Sequence, residues 1–503
     1  MNYSLGNTLS RGGGSLNADG LSLDLQFATD KTLTARKGPT PVFTRASNAT
    51  YYGPLISRSG STIPAIGVLN GRTEWRIGDE NGGQRVYYSG DRWAIENIVS
   101  GEGESFSAAA GNEFRPEQAN WSASGTDAPT TSSTFGIVGS AINEPRFDHA
   151  TTAPNACLGL LIEESRTNLA LQSENHPSAT WNKTGLTVAS ASNTDPAGAA
   201  TSNLVSEDTS VGLHRLFQST AYVSGTSYSI SVFLKYAGRQ FVAVNHPAVA
   251  SNGTSIFDIQ NGTITLSGSS VTSSITAYPN GWYRCVVTGI SSTTGGSSHV
   301  IQGSTTGGIL TGSYTGLNGA AFYIYGSQVE AGSFPTSYIP TTTASVVRSM
   351  DLCSITGSTF TGFYNQSEGT LFAQTQKTST NINAFIVHAS ANSFANGIDL
   401  RYNSVTISAA LINTSNVGQI DNNTATVTSG ALVKQSVAYK LNDSAYSSNG
   451  SSPITDTAVL IPTVSQMNIG TAFNNTLALN GHIASIRYYK KRLANAKLQT
   501  LTT

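Results

Sequence analysis

Cleavage of a glycosidic bond commonly uses two carboxylates about 5–10 Å apart across the sugar. The 503-residue sequence is poor in acids where strands would present them. Between 166 and 503 the acids are scattered, with Glu207-Asp208, Asp258, Glu330, Asp399 and Asp456 far apart, and no E-x-D-x-E strand aligns carboxylates on one sheet face. A denser set, Glu74, Asp79, Glu80, Asp91, Glu96, Glu102, Glu104, Glu113 and Glu117, reads as solvated turns with a negative surface. No G-x-S-x-G elbow is present, and the seven histidines form no H-E-x-x-H or other close ligand pair. Cys157, Cys285 and Cys353 are odd in number, widely spaced and without a C-x-x-C, so they read as reduced, buried thiols. Asp421-Asn422-Asn423 and Asn442-Asp443 have calcium-ligand types, but equally the composition of Asx turns. The expectation is therefore no catalytic residue, no metal, no cofactor and no enzymatic activity, with a polysaccharide depolymerase as the least favoured alternative.

Sugar binding asks for different residues: an aromatic face against the apolar side of a pyranose, with amides or acids taking the hydroxyls. The residues suited to it are Trp181, His246, Trp282 and Tyr283 in the middle of the chain and Tyr402, with Tyr446, near its end. Trp282 and Tyr283 lie in a run that continues CVV, so one of the two must point into a core. Trp75, Trp93 and Trp121 read instead as the core of a small module poor in aliphatics. The basic set Arg487, Lys490, Lys491, Arg492 and Lys497 is interleaved with leucines at helical spacing and reads as the solvated face of a docking helix.

The elements that would position these side chains are strands. Tyr228, Ile230, Val232 and Leu234 alternate in TSYSISVFLK, and Leu21, Leu23, Leu25 and Phe27 alternate in LSLDLQF. FVAVNH, SIFDIQNGTITL, GWYRCVVTGI and AAFYIYGSQVE follow with Asn-Gly or Gly-rich turns between them. Helical periodicity is confined to KKRLANAKLQTL at the end. The pattern predicts a multi-domain, all-β chain of β-sandwich and jelly-roll modules with a short C-terminal helix. Only 11% of residues are charged, the net charge is -1, and 66 Ser, 60 Thr, 38 Asn and 50 Gly supply a polar but uncharged surface. Nucleic acid and anionic membranes, which need clustered Lys and Arg, are excluded as partners. No apolar window reaches the ~18 residues of a membrane span, and the start lacks a basic-then-apolar signal.

Three stretches resemble tailed-bacteriophage virion proteins of the fibre, spike or tail-appendage type. VFTRASNATYYGP (42–54) and EPRFDHATTAPNACLGLLIEESRTNLALQSE (144–174) resemble a phage signature that is normally almost contiguous. Trp181, DPAG (195–198), His214, NGWYRC (280–285) and YIYGSQVEAGSFPTSYIPTT (323–342) resemble the carbohydrate-binding-module-like jelly roll that follows it. LNGHIASIRYYKKRLANAKLQTLT (479–502) resembles the last strand and helix of a concanavalin A-like, laminin-G-type sandwich. The resemblance implies an anchoring segment over 1–65 completed by 141–165, an inserted β module over 66–140, a jelly roll over 166–350 and a concanavalin A-like sandwich over 351–503. It further implies a structural protein located on the virion, held to other virion proteins through its N-terminal segment, homotrimeric, and attaching to a host-surface glycan. A capsid or tail decoration protein without receptor binding is the alternative.

Overall fold

The computed structural model describes residues 20–30, 145–151, 157–191, 193–196, 200–377, 383–403, 407–415, 417–426 and 430–503, and the backbone of the strands between 42 and 123. The chain is all-β, with antiparallel sheets and short helices only, the last of them Asn495–Thr502. It divides into two units: residues 1–44, 157–164 and 351–503 in one, and 45–156 with 165–350 in the other.

The second unit contains a jelly roll of two six-stranded sheets. One runs Asn182–Thr184, Arg215–Tyr222, Gly295–Ser304, Phe241–Asn245, Thr254–Asp258 and Thr263–Leu266; the other runs Leu186–Ser190, Asn203–Glu207, Gly319–Ala331, Ser227–Tyr236, Trp282–Ile290 and Thr272–Tyr278. Their facing sides make one core. Tyr228, Ile230, Val232 and Leu234 enter it from one strand, as their alternation requires, and meet Leu216, Val242, Val244, Phe257 and Ile301 of the opposite sheet. Asn280 and Gly281 both have positive φ, 62° and 77°, in the turn that pairs Tyr278 with Trp282; a residue with Cβ tolerates this region poorly unless it is Asn.

A meander lies at 65–123, its six strands paired in sequence order from Ala65–Leu69 to Trp121–Ala123. Its side chains are outside the described part, including the tryptophans and acids singled out above, and so are those of Asp421, Asn422 and Asn423.

In the first unit the sheet of Cys157–Ile162, Gly481–Tyr489, Glu368–Lys377, Leu432–Lys440 and Ser444–Ser448 packs in a sandwich with that of Asp351–Thr356, Gln466–Ile469, Ala384–Ser390 and Asn396–Tyr402. Two strands drawn from the stretch expected to anchor the chain, Leu21–Leu25 and Cys157–Ile162, are hydrogen-bonded to Gly481–Tyr489. Leu493 and Leu498, from the tail and its helix, pack on Leu21, Ala438, Ala445 and Tyr489, so the C-terminal helix docks by its apolar face.

Candidate functional site

Most of the aromatic residues selected from sequence for sugar stacking are core residues, which corrects that expectation. Trp181 is 1% exposed; its Nε1 donates to the Gln172 carbonyl oxygen at 3.1 Å, and its ring lies against His176 and edge-on to His299. Trp282 is 0% exposed, in a cluster with Phe233, Tyr325 and Tyr338, its Nε1 donating to the Thr194 carbonyl oxygen at 2.7 Å. His246, 1% exposed, sits between Tyr222 and Tyr228. Tyr402 is 0% exposed and shares a 2.8 Å hydrogen bond with Thr375 Oγ1. A sugar needs an exposed ring face, and these rings have none. Tyr283 is half-buried and packs on the jelly-roll core and against Gly262. Among the described residues no group of three His, Cys, Asp or Glu could hold a metal ion.

Parts of two of the phrases that carry the phage resemblance, around Asn168 and Glu330, are joints in the second unit. Asn168 donates to the carbonyl oxygens of Ser327 and Ile339 at 3.1 and 2.7 Å and accepts from the backbone of Ala170 and Val329. Glu330 accepts from Gln328 Nε2 and from both the backbone and hydroxyl of Thr336, with Arg166 at 3.7 Å. These bonds hold the segment from Phe334 to Thr341 over the outer side of one jelly-roll sheet, where Tyr338 closes the cluster of Phe233, Trp282 and Tyr325. That outer face is thereby capped.

Among the described residues, no segment caps the outer face of the other sheet in this way. Strand alternation sends Leu216, Tyr222, Val242, Val244 and Phe257 inward, so Arg215, Phe217, Asn245 and Thr254 face out. Pairing aligns Asn182, Phe217, Val300, Asn245 and Thr254 in one row across five strands, about 19 Å at the usual strand spacing. The next row carries Thr184, Arg215, Gln302, Ala243 and Ile256. The loop after Ser304 covers the far part of this second row. Gln302 Nε2 donates to the Thr311 carbonyl oxygen at 2.9 Å, and a Cβ on Gly307 would stand 2.9 Å from Thr265 and 3.0 Å from Phe241. A shallow platform results, half-buried at Phe217, Val300, Asn245 and Thr254 and walled on one side.

Its polar groups are fixed in place. Asn245 Nδ2 donates to Thr254 Oγ1 at 2.9 Å, which leaves Asn245 Oδ1 as an acceptor without a hydrogen bond among the described residues, and the Arg215 guanidinium carbon lies 4.9 Å from the centroid of the Phe217 ring. The wall is anchored below by Glu207, which accepts from Arg239 Nε and Nη2, from the Tyr314 hydroxyl at 2.8 Å and from the Leu317 backbone at 3.0 Å. Burial pushes the Glu207 carboxyl up, but Arg239, Tyr314 and Leu317 outweigh it and hold it below the usual carboxylate range. With both oxygens saturated, Glu207 has a structural role. The platform offers a flat apolar patch, an amide, hydroxyls and one cation, which is chemistry suited to a saccharide. Sequence reading passed over Arg215 and Phe217. Their i, i+2 spacing put them on one face, but Gln218 and Thr220 point inward on the same strand and blur the contrast between its sides.

No family model matches the chain, and no curated protein matches it. Solved structures are similar to it at low identity. A sialidase carbohydrate-binding module from Ruminococcus gnavus, bound to α2,3-sialyllactose, is 13% identical, covering 28% of this chain and 84% of its own with a TM-score of 0.24. A putative carbohydrate binding protein from Bacteroides ovatus is 11% identical, covering 58% and 80%, TM-score 0.23. Trypanosoma rangeli sialidase is 10% identical, covering 92% and 98%, TM-score 0.26. The structures similar to this chain thus include an enzyme as well as carbohydrate-binding proteins, and the expectation that it has no enzymatic activity is withdrawn; TM-scores this low assign it no activity either.

Proposed function

We propose that the chain is a glycan-binding component of a tailed-bacteriophage particle, holding a saccharide across the open face of its jelly roll. The observation that carries the binding part is the contrast between the two outer faces. One is closed by the Phe334–Thr341 segment, and the other leaves Phe217, Asn245 and Thr254 accessible in one row. A row of about 19 Å accommodates more than one sugar ring, and a site this shallow is weak alone, so affinity comes from several copies acting together. The virion part rests on the phrases at 42–54 and 144–174, which resemble phage signatures. In this reading the protein is located on the virion, the N-terminal stretch meets other virion proteins, and the chain associates with itself as a homotrimer.

The test is a glycan array probed with the assembled full-length protein. Retention on defined glycans, lost on replacing Asn245 and Phe217 by alanine, is the expected result. No retention on any glycan removes the binding part and leaves decoration of the particle. Following the same saccharides for chain length reports any cleavage, and imaging of labelled particles reports where the protein sits.

A further inference from the structure

Of the ten residues in the two rows described above, Arg215 alone is charged. In the jelly roll Arg239 is matched to Glu207, Arg166 lies by Glu330, and Arg284 donates to Ser231 Oγ and the Thr336 carbonyl oxygen. Arg215 has no such partner. Its Nε is buried without a hydrogen bond, and among the described residues no carboxylate lies within ion-pair distance of it and no side chain or carbonyl accepts from its terminal nitrogens. Yet it is not a mobile surface cation. Its guanidinium carbon lies over the Phe217 ring, 4.9 Å from the centroid, and Thr184 and Gln302 flank it on the neighbouring strands.

We propose that Arg215 pairs with the carboxylate of an acidic sugar, so that the glycan bound on this face carries a sialic or uronic acid unit. The inference rests on the glycan-binding reading above and narrows it. A planar guanidinium resting over a ring matches a carboxylate through two parallel N–H···O bonds, a geometry a lysine ammonium cannot reproduce. The pairing costs little rearrangement, because the cation is already positioned and has no internal partner to release. With the carboxylate at Arg215, the sugar ring falls beside Phe217 and Val300, and the adjoining unit reaches Asn245 Oδ1 and Thr254, two and three strands or about 10 and 14 Å further along the row.

The experiment is calorimetric titration of the full chain with sialyllactose, a glucuronic acid disaccharide, lactose and cellobiose. The expected result is binding of at least one acidic saccharide about tenfold tighter than its neutral counterpart, weakening as salt rises. Arg215→Gln should remove that preference without lowering the melting temperature, and Arg215→Lys should restore only part of it. Equal binding of acidic and neutral saccharides, or an Arg215→Gln protein that keeps the preference, overturns the inference while the glycan-binding reading stands. Failure to bind any saccharide here or on the array overturns both.

Discussion

The guanidinium of Arg215 and the ring of Phe217, two residues apart on one strand, stack at 4.9 Å on the same outer face of the jelly roll. Neither side chain belongs to the core, so the pair can be taken apart without unfolding the protein. A cation–π contact at a partly exposed site contributes about 0.5–1 kcal/mol. Replacing Phe217 by alanine therefore frees Arg215 to sample other rotamers, and binding of the preferred saccharide should weaken about two- to fivefold from this term, more if the ring also touches sugar. Titration calorimetry checks it alongside a melting curve. Unchanged affinity with an unchanged melting temperature would show that the ring neither positions the cation nor meets the ligand.

Below the platform, Glu207 and Arg239 form an ion pair with both residues more than nine-tenths buried. Removing one member of such a pair strands the other charge, at a cost of about 3–5 kcal/mol. Glu207→Gln should lower stability by that order in chemical denaturation and loosen the wall that Tyr314 and Leu317 hold. The acid side has a definite sign. Because the folded-state pKa lies below the unfolded one, the stabilisation is complete above the usual carboxylate pKa, about 4.3, and is lost as pH falls through the lowered value. A variant with the wild-type denaturation midpoint would refute the structural role.

The strands and their inward faces were legible because alternation is local. Tyr228, Ile230, Val232 and Leu234 needed only a period of two to be placed in the core. The site was not legible, because openness of a sheet face is decided by distant chain. Trp282 is buried by Tyr338 and by the Thr194 carbonyl, 56 residues after it and 88 before it. Trp181 is buried where Gln172, His176 and His299 meet. Large aromatic residues draw attention in a sequence with five tryptophans, and in this fold they fill space. The face that remains open carries Arg215 and Asn245, residue types without an apolar signal, and only the capping of the opposite sheet by Phe334–Thr341 singles it out. Asn168 is a joint of the same kind, its partner Ile339 lying 171 residues away.

Three histidines in the jelly roll must stay neutral. Burial lowers His176 to about 4, the hydrogen bond that its Nδ1 donates to Asn203 Oδ1 only partly opposing it and Lys183 adding to it. Burial likewise takes His246 to about 4, and burial with the nearby His246 and His176 takes His299 to about 3. In the unfolded chain each titrates near 6.5, so between that value and the folded values the unfolded state binds more protons. Stability should be full above about pH 6.5 and fall as pH drops, with a slope of up to about 1.4 kcal/mol per pH unit for each histidine. His299→Gln should reduce the slope by about one proton in three, read from denaturation at a series of pH values. A slope unaffected by the substitution would mean that His299 does not stay neutral in the folded jelly roll.

The opposite sign belongs to Asp399 in the first unit. It pairs across strands with His388, whose Nε2 stands 3.6 Å from Asp399 Oδ1, and Phe385 and Phe394 stack on the imidazole. That spacing is too long for a hydrogen bond, and Asp399 Oδ1 is buried without one. Burial raises the carboxyl to about 8 against the opposing pull of Arg401. A carboxyl that is protonated when folded and ionised when unfolded favours folding least at high pH, so its contribution is lost progressively as pH rises from about 4 to about 8. Asp399→Asn keeps the shape and cannot ionise. Its stability advantage over the wild type should grow across that interval by up to about 1.4 kcal/mol per pH unit and then level off. His388, lowered to about 4 chiefly by its own burial, is common to both proteins and drops out of the difference. Denaturation of the two proteins at pH 5, 6.5 and 8 gives the difference directly, and a constant value would show that Asp399 is ionised in the folded state.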